Sequence, residues 1–189
     1  MPNYRRARIP GGCYFFTIVT DRRVPILCHP AARSLLGRVI RECRQRWPMF
    51  INAFVLLPDH LHTIWTLPSG DDRYAARWGW IKKEFAKHWV EQGGKQQSIS
   101  ASRHNQRRLG VWQPRYWEHT IEDDYDFERH FDYIHYNPVK HRFADCPKNW
   151  QWSSFHRWVK SGVYSENWAC GNVVQNQMNF ADLENSVGE

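Results

Sequence analysis

Two histidines one residue apart, in Pro58-Asp59-His60-Leu61-His62-Thr63-Ile64-Trp65, have types and spacing that suit chemistry. The following Thr, Ile and Trp favour a strand, and alternate strand residues project to one face. His60 and His62 therefore present two imidazoles side by side, which is half of a metal site. Further along, His130-Phe131-Asp132-Tyr133-Ile134-His135-Tyr136-Asn137-Pro138 reads as a helix. Tyr133 and Asn137 are four apart and share a face, with His130 one turn earlier. A tyrosine hydroxyl can attack phosphorus. With an ordinary pKa of about 10, it needs a metal or a basic neighbour to do so near neutral pH. Asn137 offers a carbonyl oxygen as a third ligand beside two imidazole nitrogens. That mixed set suits Mn²⁺, and also Mg²⁺ where substrate phosphate and water complete the shell. Each residue alone has a simpler explanation: a strand histidine, a core tyrosine, a helix-capping asparagine. The combination argues for a site.

The elements that must position these residues follow from the pattern. Residues 13–20, rich in aromatic and β-branched side chains, form a strand. Residues 31–47 form an amphipathic helix, with Leu35, Val39 and Cys43 on one side and arginines on the other, stopped by Pro48. Residues 50–57 and 60–67 pair as a hairpin across Pro58-Asp59. Residues 72–92 are a helix with Trp78, Ile81, Phe85 and Trp89 as its apolar stripe. The polar, basic stretch 93–110 is a long loop. A strand is expected over 111–121, interrupted at Pro114. A helix is expected over 127–137, ended by Pro138 because a residue before proline is pushed out of helical geometry. A short helical segment lies within 150–159. The first six elements run β-α-β-β-α-β. That order gives an α+β, ferredoxin-like split β-α-β fold with a four-stranded antiparallel sheet, here followed by the tyrosine-bearing helix and a tail.

Charge narrows the class of partner. Residues 1–46 hold ten arginines against only Asp21 and Glu42. After Lys160 there is no Lys or Arg but four carboxylates, so the chain before it carries +11 where the whole carries +7. The organisation expected is one domain over 1–160 with a basic N-terminal arm, then an acidic tail over 161–189. A basic body favours a polyanion. The candidate DNA-binding residues are Arg5, Arg6 and Arg8 of the arm, with Lys82 and Lys83 beside the apolar stripe of the second helix. Five scattered cysteines without a C-x-x-C read as reduced thiols. No apolar run approaches the ~20 residues of a membrane span, and the Arg-rich start lacks a signal core, so a cytoplasmic location and no membrane partner are expected.

The stretches Tyr4-Arg5-Arg6-x-Arg8-x-Pro10-Gly11-Gly12, Pro58-Asp59-His60-Leu61-His62, Trp117-Glu118-His119-Thr120-Ile121, Tyr133-Ile134-His135-Tyr136-Asn137-Pro138-Val139-Lys140-His141 and Trp152-Ser153-Ser154 resemble, in this order, the REP-associated tyrosine transposases. These belong to the HUH single-strand endonucleases. The resemblance spans about residues 4–158. It implies a metal-dependent enzyme that cuts and rejoins single-stranded DNA beside a palindromic hairpin through a 5′-phosphotyrosine. It implies Tyr133 as nucleophile and His60, His62 and Asn137 as ligands of Mg²⁺ or Mn²⁺, although the wider transposase group often has Gln at this last position. It favours a monomer over a dimer that exchanges tyrosine helices. Two other readings compete. One is a DNA-binding module without catalysis. The other is a metal-dependent hydrolase, which would bring more carboxylates than the single Asp59 beside the histidines.

Overall fold

The structure is a computed structural model that describes residues 8–106 and 108–171 together with Phe180, Leu183 and Val187. Arg5 and Arg6 lie outside the described residues. Strands β1 (Cys13–Val19), β2 (Phe50–Leu56), β3 (His60–Thr66) and β4 (Trp117–Thr120) form one antiparallel sheet in the order β2-β3-β1-β4. Helices α1 (Pro30–Arg46) and α2 (Tyr74–Glu91) pack on one face. Helices α4 (Asp124–Lys140) and α5 (Phe155–Lys160) pack on the other. A short α3 (Ala101–Asn105) lies between α2 and β4. The expected ferredoxin-like sheet and its two helices are present, and the tyrosine-bearing helix covers the sheet's second face.

Both faces being buried explains the sequence of β1. Tyr14, Phe16 and Ile18 enter the first core with Leu61 and Trp65 of β3, Val39 of α1 and Trp78, Ile81 and Phe85 of α2. Phe15 enters the second core with Ala53, Val55, Ile64 and the α4 residues Phe131, Tyr133 and Ile134. Strands buried on both sides lose the apolar–polar alternation of a half-exposed sheet. Much of the tryptophan content serves this packing. Trp65 and Trp78 stack at 4.2 Å between ring centroids, and such pairs add about 1 kcal/mol beyond their buried area.

Four local features differ from the sequence reading. First, α4 does not stop before Pro138 but runs through it to Lys140. Proline's fixed φ is compatible with a helix and forfeits only one hydrogen bond this close to the end. Burial of Val139 holds the last turn down. Second, only Trp117–Thr120 of the expected 111–121 strand pairs fully. The segment before Pro114 is tied to the end of β1 by the single bridge Thr20–Trp112. Third, the 93–110 loop contains α3, capped by the Ser100 side chain and pinned by Arg103 to Asp21 at 3.1 Å. Fourth, Cys146 and Cys170 are joined by a disulfide, whereas free thiols were expected. Cys13, Cys28 and Cys43 are free. Beyond Lys160, Tyr164, Ala169, Phe180, Leu183 and Val187 are buried in the second core.

Helix α4 is held by a buried polar network. His135 Nε2 meets Ser154 Oγ at 2.8 Å and its Nδ1 meets the Tyr164 hydroxyl at 3.2 Å. Tyr164 donates in turn to Asp132. Ser154 Oγ accepts from the Phe54 amide, joining α4 to edge strand β2. Burial pushes the His135 imidazole down to about 3, helped by the charge of Arg157. The folded state therefore keeps His135 neutral, while below about pH 6.5 the unfolded chain takes up a proton there. Stability should fall as pH drops from 6.5 towards 3, by about 1.4 kcal/mol per unit from this group. Urea unfolding at pH 7 and pH 5 should show a loss that shrinks by about 2 kcal/mol in His135→Gln. An unchanged pH dependence in that variant would refute this role.

Candidate active site

Strand β3 is interior to the sheet, so β1 on one side and β2 on the other fix the direction of its side chains. His60 and His62 both face α4, with rings edge to face at 5.0 Å between centroids. Phe15 of β1 stacks against His62 at 5.5 Å. Both rings are also held at Nδ1. The register sets Thr17 opposite His62, and Thr17 Oγ1 lies 2.9 Å from His62 Nδ1. Thr17 has one proton, which it donates to the Val187 carbonyl at 2.6 Å. The threonine oxygen therefore accepts from His62, and Nδ1 carries the ring proton. Asp59 Oδ1 lies 2.6 Å from His60 Nδ1. Burial works against ionising Asp59, but the hydrogen bond from His60 and the charges of His60 and Arg23 outweigh it and hold the carboxyl below its ordinary range. The carboxylate accepts, so His60 Nδ1 carries a proton too. Once the Nε2 proton is given up, Nε2 of each ring is the nitrogen whose lone pair a metal would take, with an oxygen behind the ring to orient it. The donor set fits a divalent ion.

Helix α4 starts at Asp123, whose side chain accepts from the Asp126 amide, and acidic Asp124 and Asp126 suit the positive end of the helix dipole. Three turns in, Tyr133 is completely buried, edge-on to His62 at 5.6 Å. Asn137 follows one turn later on the same side and is also completely buried. The structure thus brings His60, His62 and Tyr133 together as the sequence predicts, with Asn137 on the same helix. Tyr136, the neighbouring tyrosine, packs on Phe180 at 5.7 Å, as does Tyr133 at 5.5 Å.

Several site residues escape the sequence reading. Lys140 Nζ donates to the Tyr133 hydroxyl at 2.8 Å. It can do so because α4 continues through Pro138. Positions seven apart then share a face. His141, just after the helix, lies 5.3 Å from the His60 ring. Thr17 carries no signal of its own, since only the strand register brings it to His62.

A second cluster joins β4 to the start of α4. His119 Nε2 meets Asp126 Oδ2 at 2.8 Å, and His130 Nδ1 meets Asp126 Oδ1 at 2.9 Å. His130 shares the Tyr133 face as expected and packs on Phe15. Burial pushes its imidazole pKa down. The His119 and His130 rings stack nearly parallel, 15° apart at 4.6 Å. A metal sits in the plane of each imidazole that binds it, so these two rings cannot share one ion as they stand. The cluster is a hydrogen-bonded clamp.

Of the expected DNA-binding residues, Arg8 is exposed. Lys83 is 76% exposed with Glu84 nearby. Lys82 turns its ammonium group to the carbonyls of Gln113 and Pro114, tying α2 to the segment before β4.

A scan of protein-family models finds no match to this chain. Individual proteins do match. A REP-associated tyrosine transposase of Escherichia coli K12 is 40% identical over 174 residues, covering 92% of this chain and 94% of that protein. A Haemophilus influenzae protein carrying the same family name is 39% identical over 168 residues, 89% of this chain and 93% of that one. A REP-associated tyrosine transposase whose structure was determined bound to a REP hairpin superposes with a TM-score of 0.73 at 39% identity, covering 92% of this chain and 93% of that one. The chain belongs to the REP-associated tyrosine transposases. As a member of that family it is an HUH-type enzyme that cleaves and joins DNA.

The oxygens behind the two histidines yield a prediction for this transposase. Thr17→Val and Asp59→Asn should each weaken Mn²⁺ binding by ~10–100-fold, as loss of such outer partners does elsewhere. Titration calorimetry, with circular dichroism to check the fold, measures this. Unchanged affinity in both variants would contradict the assigned ring orientation.

Proposed function

We propose that this transposase cuts single-stranded DNA beside a palindromic hairpin and rejoins it through a phosphotyrosine formed on Tyr133. The observation that carries this reading is the phenol of Tyr133 edge-on to His62, on the side of the sheet where both histidines are held at Nδ1. The relative bound to a REP hairpin supports a hairpin as the partner.

The roles divide as follows. Strand β3 and the end of α4 would hold a divalent ion, Mg²⁺ or Mn²⁺, with His60 and His62 offering imidazole nitrogen and Asn137 its amide oxygen. When bound, that ion polarises the scissile phosphodiester as a Lewis acid. Asp59 and Thr17 orient the imidazoles. Tyr133 attacks phosphorus, a 3′-hydroxyl departs, and the protein becomes joined to the 5′-phosphate of the downstream strand. The ester keeps the energy of the broken bond, so a second 3′-hydroxyl can reverse the step without ATP. The basic arm with Arg5, Arg6 and Arg8, together with Lys83, holds the DNA backbone by a salt-sensitive attraction. Lys82 contributes less, because its ammonium group already binds two carbonyls. Tyr133 packs against His62 of its own chain, an arrangement in which one copy of the chain is a complete acting unit. No helix among the described residues is long and apolar enough to cross a membrane, and a cytoplasmic site of action is in keeping with a DNA substrate.

The test is a denaturing gel of the protein incubated with hairpin-bearing single-stranded DNA, labelled 3′ of the cut, and Mn²⁺ or Mg²⁺. Label should migrate with the wild-type protein and with Tyr136→Phe. It should be absent with Tyr133→Phe, which still binds DNA in a mobility-shift assay, and absent with His60→Ala, His62→Ala or added EDTA. A free 5′-phosphate product without an adduct would point to a hydrolase. Binding without any cleavage would point to a binding module. An adduct that survives Tyr133→Phe would remove Tyr133 as the nucleophile.

A further inference from the structure

Helix α4 brings a cation to the atom that reacts. Tyr133 and Lys140 are seven residues apart on one continuous helix, and Lys140 Nζ lies 2.8 Å from the phenolic oxygen and 4.9 Å from the ring centroid. Tyr133 is completely buried, so little water reaches that oxygen to stabilise negative charge. In such surroundings a fixed cationic donor is worth more than it is in water. We propose that Lys140 is a catalytic residue of this transposase, its ammonium group stabilising the negative charge that develops on the Tyr133 oxygen during both cleavage and rejoining. This rests on the reading of Tyr133 as the nucleophile.

The step balances without further reagents. In cleavage the bond from the Tyr133 oxygen to phosphorus forms as the bond from phosphorus to the 3′-oxygen breaks. The phenolic proton passes to water, and the departing 3′-oxygen takes one up to become a hydroxyl. In rejoining, a 3′-hydroxyl attacks the same phosphorus and loses its proton. The phenolic oxygen then leaves with the bonding pair and is reprotonated. Lys140 keeps its protons throughout and acts by its hydrogen bond and charge. The same group therefore assists Tyr133 as nucleophile in one direction and as leaving group in the other. A lysine that merely held substrate phosphate would strengthen binding and would leave the chemical step alone.

Single-turnover assays at saturating hairpin DNA separate these roles. Lys140→Met should slow adduct formation by about 10²-fold or more. It should also slow the release of purified adduct by an added 3′-hydroxyl strand, with DNA affinity unchanged in a mobility-shift assay. Lys140→Arg, which keeps the charge and donors, should recover most of both rates. A small alkylamine added to Lys140→Ala should recover part. Lys140→Gln, which keeps a donor without charge, guards against a variant that fails to fold and should remain slow. Wild-type rates in Lys140→Met or Lys140→Gln would overturn the proposal. So would a defect confined to DNA affinity, or one that Lys140→Arg does not relieve. An adduct persisting in Tyr133→Phe would instead overturn the choice of nucleophile, so the two failures are distinguishable.

Discussion

Strand β3 is hydrogen-bonded along both edges, to β1 on one side and β2 on the other, and the geometry of the site depends on that double pairing. Side chains alternate along a strand, so a slip of one residue would carry His60 and His62 to the wrong face. Packing opposes any slip. Leu61 and Trp65 belong to the core under α1 and α2, and Ile64 to the core under α4. Moving either set would strip the imidazoles of Asp59 and Thr17 and put apolar side chains where those oxygens now meet imidazole nitrogens. The register that packs the cores is also the register that places Thr17 behind His62.

Helix α4 must meet this strand with similar precision, and buried and half-buried polar contacts hold it along its length. His119, Asp126 and His130 clamp its first turns to edge strand β4. His135 ties its middle to Ser154 and Tyr164. Buried polar groups are costly unless hydrogen-bonded, so sliding the helix by a turn would break these networks together. The result is that the phenol of Tyr133 and the ammonium group of Lys140 arrive as one rigid unit beside two imidazoles. A site assembled from a central strand and a packed helix needs little reorganisation to react.

Much of this was legible in the sequence because it is periodic. The alternation of His60 and His62, the fourfold spacing on α1 and the stripe on α2 each predict an element and a face. The fourfold spacing of Tyr133 and Asn137 likewise puts them on one face of one helix, and both lie in α4. What was not legible depends on tertiary contacts. Pro138 looks like a stop, yet burial of Val139 carries the helix past it, and ending the helix early hid Lys140. Val111 and Trp112 look strand-like in sequence and lengthen the expected β4, although only a single bridge forms there. Cys146 and Cys170 are 24 residues apart with no spacing cue. The segment after Lys160 has acidic composition, and its buried residues, Tyr164 and Phe180 among them, follow no regular period. Thr17 reads as an ordinary strand threonine until the register sets it opposite His62.

In the proposed reaction the α4 tyrosine facing His62 is the group to which DNA becomes attached. The protein can be incubated with hairpin-bearing single-stranded DNA and Mn²⁺, the adduct trimmed with nuclease and digested with protease, and the modified peptide sequenced by tandem mass spectrometry. The mass of a nucleotide joined through its 5′-phosphate should fall on Tyr133. Its appearance on Tyr136 or another residue, or recovery of cleaved DNA with no modified peptide, would exclude Tyr133 as the point of attachment.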